Sequence, residues 1–204
     1  VKDYPMRRAA VFFGMLILAA TALVSASNAS AGSGMPVIGT ASQPVGHYQF
    51  CRRNPAKCAP NATRAIVGLT QATWEVLNAV NVTANTMIEP QTDEEIYGVT
   101  ELWTYPGAKG DCEDYVLSKQ RSLEKAGLPA SALLITVVRQ KDGSGHAVLT
   151  VRTTQGDYVL DNLDDRILPW EATEYTYLKR QSQADAGRWV TIEDSRDVLV
   201  GSVR

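Results

Sequence analysis

Between Thr70 and Ile88, apolar side chains recur at Trp74, Leu77, Val80, Ala84 and Met87, the three-and-four spacing of a helix with one buried face. Thr70 is placed to cap this helix and Pro90 to end it. A second helical stretch follows the flexible entry of Gly107 and Gly110. Asp111 stands as its cap, and Tyr115, Val116, Lys119, Leu123 and Ala126 keep the period until Gly127 and Pro129 stop it. Cys112 therefore falls on the first helical turn. Beyond Pro129 the period changes: residues 132–138, 146–153 and 158–163 are rich in Val, Leu, Ile and Thr and are separated by turn-forming residues 141–145 and 154–156. That pattern predicts three strands joined by hairpins. The last forty residues are mixed, with 189–192 a candidate strand and 193–200 a helix candidate.

The N-terminal stretch has a different character. From Met6 the chain runs through Arg7 and Arg8 into an almost unbroken apolar segment from Ala9 to Val24, then into small residues. That is the order of a secretory signal. Ala29-Ser30-Ala31 fits the small-x-small cleavage rule, so residues 1–31 are expected to be removed, with Ala26 and its small neighbours as alternative sites. An uncleaved anchor is the competing reading, because the run approaches the roughly 18 residues that span a bilayer. No second apolar run of that length occurs, so no membrane span is expected after cleavage and a periplasmic location follows. Residues 32–60, rich in Gly, Pro, Ser and Ala without a sustained period, read as an extended lead-in outside the core.

With 204 residues, 45% of them hydrophobic and 21% charged, the chain has material for one core, which places a single domain at residues 61–204. The formal charge is −2, and no basic stripe interleaves with aromatics, so nucleic acid is not an expected partner. Loss of the leader removes Lys2, Arg7 and Arg8 against Asp3 alone, leaving a more acidic domain. Export also means an oxidising compartment in which thiols tend to pair. Cys51 and Cys58 flank a polar segment containing Asn54-Pro55, and a local loop closed by a disulfide is reasonable there. Cys112 is then the odd thiol, and its surroundings decide between intermolecular pairing and reactivity.

A thiol attacks a carbonyl as thiolate, and a helix N-terminus stabilises that anion through its unpaired N–H groups. Asp111, Glu113 and Asp114 oppose this by crowding the sulfur with negative charge. A base is required, and the chain offers His47 and His146. His47 lies in the lead-in and reads as incidental, whereas His146 opens a predicted strand after a glycine-rich turn. The acid can be argued from parity. Across an antiparallel hairpin with a two-residue loop, opposed residues sum to an odd constant, so His146 shares a face with Asp161. If Thr154-Gln155 is the loop, Asp161 lies opposite Val148 and diagonal to His146, about 7–8 Å away and within side-chain reach. A bulge would substitute Asn162. Structural readings stand beside each choice: a buried small cysteine, acids that complement a helix dipole, and turn chemistry at Asp161-Asn162.

Gly110-Asp111-Cys112-Glu113-Asp114-Tyr115 with Lys119 and Leu123, then His146-Ala147-Val148-Leu149, then Val159-Leu160-Asp161-Asn162, resembles the bacterial transglutaminase-like cysteine proteinase family. Trp103-Thr104-Tyr105-Pro106 is similar to that family's approach to its cysteine, and Cys51 with Cys58 resembles a pair found in some members. The resemblance spans roughly residues 45–192. It implies an α+β fold, papain-like or transglutaminase-like, with the catalytic cysteine at the N-terminus of a helix packed on an antiparallel sheet that carries the histidine and the acid. It assigns nucleophile to Cys112, general base and acid to His146, and imidazole orienter to Asp161. It also implies a protein or peptide substrate, with periplasmic proteases that release large surface adhesins among the relatives. No cofactor is required for the chemistry, but the same resemblance brings calcium to Asp111, Glu113 and Asp114. Two other functions compete with peptide-bond hydrolysis: acyl transfer to an amine through the same intermediate, and a binding module that retained the fold without the activity.

Overall fold

The computed structural model describes residues 33–198; the expected leader and the last two residues of the C-terminal helix candidate lie outside the described residues. In chain order the elements are β1 (Val37–Ala41), α1 (Val45–Arg53), α2 (Gln71–Met87), β2 (Glu89–Pro90), α3 (Asp93–Tyr97), β3 (Lys109–Gly110) and α4 (Cys112–Lys125). They continue with β4 (Leu133–Arg139), β5 (Gly145–Thr153), β6 (Gly156–Leu160), β7 (Leu168–Pro169), β8 (Thr176–Ser182) and β9 (Asp185–Ile192). Single 3-10 turns occupy Pro55–Cys58, Ala130–Ala132, Trp170–Ala172 and Ser195–Val198.

Seven strands form one sheet in the order β1-β9-β8-β4-β5-β6-β7, with every pair antiparallel. Its centre is the meander that periodicity predicted. β5 and β6 pair with Leu149 opposite Leu160 and Thr153 opposite Gly156, which makes Thr154 and Gln155 the two-residue loop. Gly156 takes φ 109° in that turn, a left-handed conformation that favours glycine. Strand β6 stops at Leu160 rather than Leu163 because Asp161 leaves the ladder: its Oδ1 accepts the Leu163 N–H at 3.1 Å, beginning a turn.

Both faces of the sheet are covered, so its central strands are apolar on both sides. On one face Ile135, Ala147, Leu149, Val151 and Leu160 meet Val116, Leu117 and Leu123 of α4 and Leu77 of α2. On the other, Val138, Val148 and Val159 pack with Met35, Trp170, Tyr177 and Ile192. Thr70 caps α2 by accepting the Thr73 N–H at 3.2 Å. The fold is α+β, an antiparallel sheet with the cysteine-bearing helix packed on one face. No helix among the described residues is long and apolar enough to cross a membrane.

Two regions depart from the sequence reading. In its described part, the 32–60 segment is not an extended lead-in outside the core: β1 extends the sheet beside β9, and α1 buries His47 and Phe50. The periodicity is hidden because β1 is an edge strand, largely exposed, and α1 spans only two and a half turns. In the mixed C-terminal region β8 and β9 form a hairpin, and the 193–200 helix candidate is, in its described part, only the 3-10 turn Ser195–Val198.

Candidate active site

Cys112 is the first residue of α4 and the free cysteine among the described residues, partly buried; Cys51 and Cys58 are joined in a disulfide. Cys112 opens onto a cleft of about 330 Å³ that it shares with Glu101, Trp103, His146, Ala147 and Lys179. Its thiol donates to Oε2 of Glu113 at 3.2 Å. Burial pushes the Cys112 thiol well above its ordinary range, and the charge and hydrogen bond of Glu113 add to this against the opposing Ala147 backbone N–H. The helix N-terminus by itself does not leave a thiolate here, because desolvation and a neighbouring carboxylate outweigh it.

His146 lies at the start of β5, paired with Val138 of β4, so it shares the face of Val148 and lies across the strand from Ala147. Its Nε2 is 2.8 Å from Oδ1 of Asp161, and the two side chains are only 3% and 5% exposed. The parity argument thus placed the pair on one face correctly, in the register it assumed. Oδ2 of Asp161 accepts from the Tyr175 hydroxyl. Burial pushes the Asp161 carboxyl up, but hydrogen bonds from His146, Tyr175 and the Leu163 N–H and the imidazole charge outweigh it and hold it below the ordinary range. A carboxylate is acceptor-only, so Nε2 carries the proton and Nδ1 is left as the basic nitrogen. Asp161 is held from behind as well: Asn85 of α2 donates to its backbone carbonyl at 2.8 Å and to Oδ1 of Asp165 at 2.7 Å.

The acids around Cys112 divide differently from the sequence expectation. Asp111 occupies the cap position, but its side chain caps no N–H. Its carboxylate converges instead with those of Glu113 and Asp93, each offering an oxygen within 4.8 Å of the others. Asp114, expected in this group, accepts the Thr104 N–H on Oδ1 at 2.9 Å, and its Oδ2 is buried without a partner among the described residues. Burial first, and then the neighbouring Asp111, pushes Glu113 up to about 8. Burial and the charge of Asp93 likewise raise Asp111, and burial takes Asp114 up to about 7. The three acidic side chains lie close enough to hold a cation, and among the described residues Oδ1 of Asp93 and Oδ1 of Asp111 are buried without a partner.

Asp93 escaped the sequence reading because Thr92-Asp93-Glu94-Glu95 is a capping box, which the structure forms; that signal accounts for its acids without a ligand role. Tyr175 had no signal, since it precedes β8 in a region without a clear period. His47 is structural. It is 1% exposed, edge-on to Trp103 and Trp189 with ring centroids 5.5 and 5.3 Å away, and burial holds its pKa down at about 4.

The profile of the family described as bacterial transglutaminase-like cysteine proteinase, BTLCP, matches residues 37–197. Among solved structures, calcium-bound LapG of Legionella pneumophila is similar at a TM-score of 0.51 and 26% identity, over 61% of this chain and 74% of that one. A second LapG structure from the same organism gives 0.50 and 25%, over 62% and 72%. No curated protein sequence matches. The profile match covers nearly all the described residues, and the solved relatives share the arrangement of sheet and helix. The chain belongs to the bacterial transglutaminase-like cysteine proteinase family and is a cysteine peptidase.

Proposed function

We propose that this peptidase cleaves peptide bonds through a triad of Cys112, His146 and Asp161. One observation carries the reading: His146, whose Nε2 is 2.8 Å from Oδ1 of the buried Asp161, lines the cleft onto which Cys112 opens. The thiol turns from Glu113 to Nδ1 of His146 and yields its proton as sulfur attacks the scissile carbonyl carbon. The oxyanion meets the backbone N–H of Cys112, which as the first helical residue has no intrahelical acceptor. Imidazolium then protonates the leaving amine, giving a thioester on Cys112. His146 next takes a proton from water, whose oxygen attacks the thioester and releases the acid and the thiol. Asp161 fixes the ring and stabilises its charged form throughout.

Asp93, Asp111 and Glu113 would hold a calcium ion: hard oxygen donors suit it, two of their oxygens have no partner among the described residues, and a LapG structure is calcium-bound. When bound, the ion would supply positive charge that offsets the three carboxylates beside the cysteine. A leader in residues 1–31 would put the enzyme in the periplasm. There the family resemblance points to a large surface adhesin as substrate.

Surface proteins of cells producing wild type or Cys112→Ala test the reading. A single full-length species accumulating with the variant identifies the substrate, and identical profiles refute proteolysis at the surface. Purified enzyme given peptide and labelled amine separates hydrolysis from acyl transfer, since amine incorporation without cleavage rejects hydrolysis. Calcium should raise the melting temperature of wild type and not of Asp93→Ala; an equal rise in both removes Asp93 from the site.

A further inference from the structure

We infer that Tyr175 is a positioning residue of the same relay, fixing the carboxylate of Asp161 from the side opposite His146 and covering the imidazole. The inference rests on the triad proposed above. The two oxygens of Asp161 have separate partners: Oδ1 takes the His146 Nε2–H at 2.8 Å and the Leu163 N–H at 3.1 Å, and Oδ2 takes the Tyr175 hydroxyl. A carboxylate anchored through one oxygen can swing about its Cβ–Cγ bond, where the torsional preference is broad. A donor on the second oxygen removes that freedom. The Tyr175 ring also lies 5.5 Å from the imidazole, centroid to centroid, at an interplanar angle of 52°.

The surrounding chain is built to hold this tyrosine in place. Arg196 donates from Nη2 to the Tyr175 carbonyl at 2.8 Å, and from Nη1 to the carbonyls of Trp170, Glu171 and Thr173 at 3.1, 3.1 and 3.2 Å. Asp194 pairs with the same guanidinium at 2.7 Å. No step of the proposed reaction uses this clamp, and its effect is to set the backbone from which Tyr175 reaches Asp161. Beyond the tyrosine is a cavity of about 340 Å³, bordered by Asp161, Gln140, Lys141 and Asp164 as well as Tyr175. Removing the ring would extend that space from Asp161 to the imidazole of His146, and water there would compete for both partners.

The test compares wild type, Tyr175→Phe and Tyr175→Leu as full chains in excess calcium. Phe keeps the cover and loses the donor, whereas Leu loses both. Two readouts are taken: the rate of Cys112 alkylation by iodoacetamide at one pH, and the tautomer of His146 from its ring 15N shifts, with His47→Gln supplying the assignment. Tyr175→Phe should slow alkylation about tenfold, the factor of one hydrogen bond to a charged group, and shift His146 from the Nε2–H form to a tautomer mixture. Tyr175→Leu should slow it further. Wild-type tautomer together with a rate within about twofold in Tyr175→Phe, the usual scatter of a neutral change, overturns the proposal even if the Leu variant fails to fold. His146→Ala and Asp161→Ala are the controls: if neither slows alkylation, the triad itself is wrong. If both do and Tyr175→Phe does not, only the role of Tyr175 falls.

Discussion

Lys119 carries the sharpest stability prediction in the molecule. It lies on α4 with 0% exposure, its Nζ has no hydrogen-bond partner among the described residues, and the Tyr115 ring centroid is 5.9 Å away. The charges facing it are Asp161 and Asp165, on the segment after β6. Burial lowers its pKa from 10.5 to about 7, more than these two acids restore. A drop of that size corresponds to about 5 kcal/mol, an upper figure for the cost of keeping the ammonium in the fold. The sign follows from proton counting. Between pH 7 and 10.5 the unfolded chain binds more protons than the native one, so the Lys119 contribution to stability improves as pH rises through that window. Below it, both states are protonated and the full cost applies. Lys119→Met keeps the length and the packing and removes the charge. The variant should therefore be more stable than wild type at pH 6, by up to about 5 kcal/mol, with the advantage shrinking towards zero near pH 10. Urea unfolding of both proteins across this range measures the difference, and titrations common to the two cancel. An advantage independent of pH, or a loss of stability at pH 6, would refute the reasoning.

Asp157 is 1% exposed and accepts from Met35 N at 2.8 Å and Arg152 Nε at 3.2 Å, with Nη1 of the buried Arg180 at 3.6 Å. Asp157→Ala strands that guanidinium and should cost about 3–5 kcal/mol in chemical unfolding; a loss under about 1 kcal/mol would mean the pair is dispensable. A Cβ at Gly46 would stand 2.3 Å from Cδ1 of Trp103 and 2.7 Å from Oε1 of Glu101, both on the wall of the Cys112 cleft. Gly46→Ala should destabilise by about 1–3 kcal/mol and alter Cys112 alkylation, and unchanged melting and reactivity would contradict the close packing. Cys51→Ala/Cys58→Ala removes the disulfide that closes a sequence separation of 7 and should lower stability by about 2–3 kcal/mol, whereas a melting temperature equal to wild type would show that the loop is held by packing alone.

Local pattern was enough to place α2, α4 and the β4–β5–β6 meander, because each lies in the core and so carries an uninterrupted apolar period. It was also enough to pair His146 with Asp161, since pleat parity and a two-residue loop determine which side chains share a face. It gave no access to β1 and α1, whose contacts come from β9 and from Trp103 and Trp189, far along the chain. Nor could it settle the acids. Asp111, Glu113 and Asp114 are neighbours in sequence, but the turn of the helix brings Oδ1 of Asp114 to the Thr104 N–H, and Asp93 of α3 joins Asp111 and Glu113. Tyr175 reaches Asp161 only through a backbone gathered by Arg196. Sequence alone determined α2, α4 and the β4–β5–β6 meander and singled out one thiol, one imidazole and one carboxylate as the candidate chemistry. Tertiary structure decided their electrostatics, because burial and through-space partners, unlike periodicity, are properties of the folded chain alone.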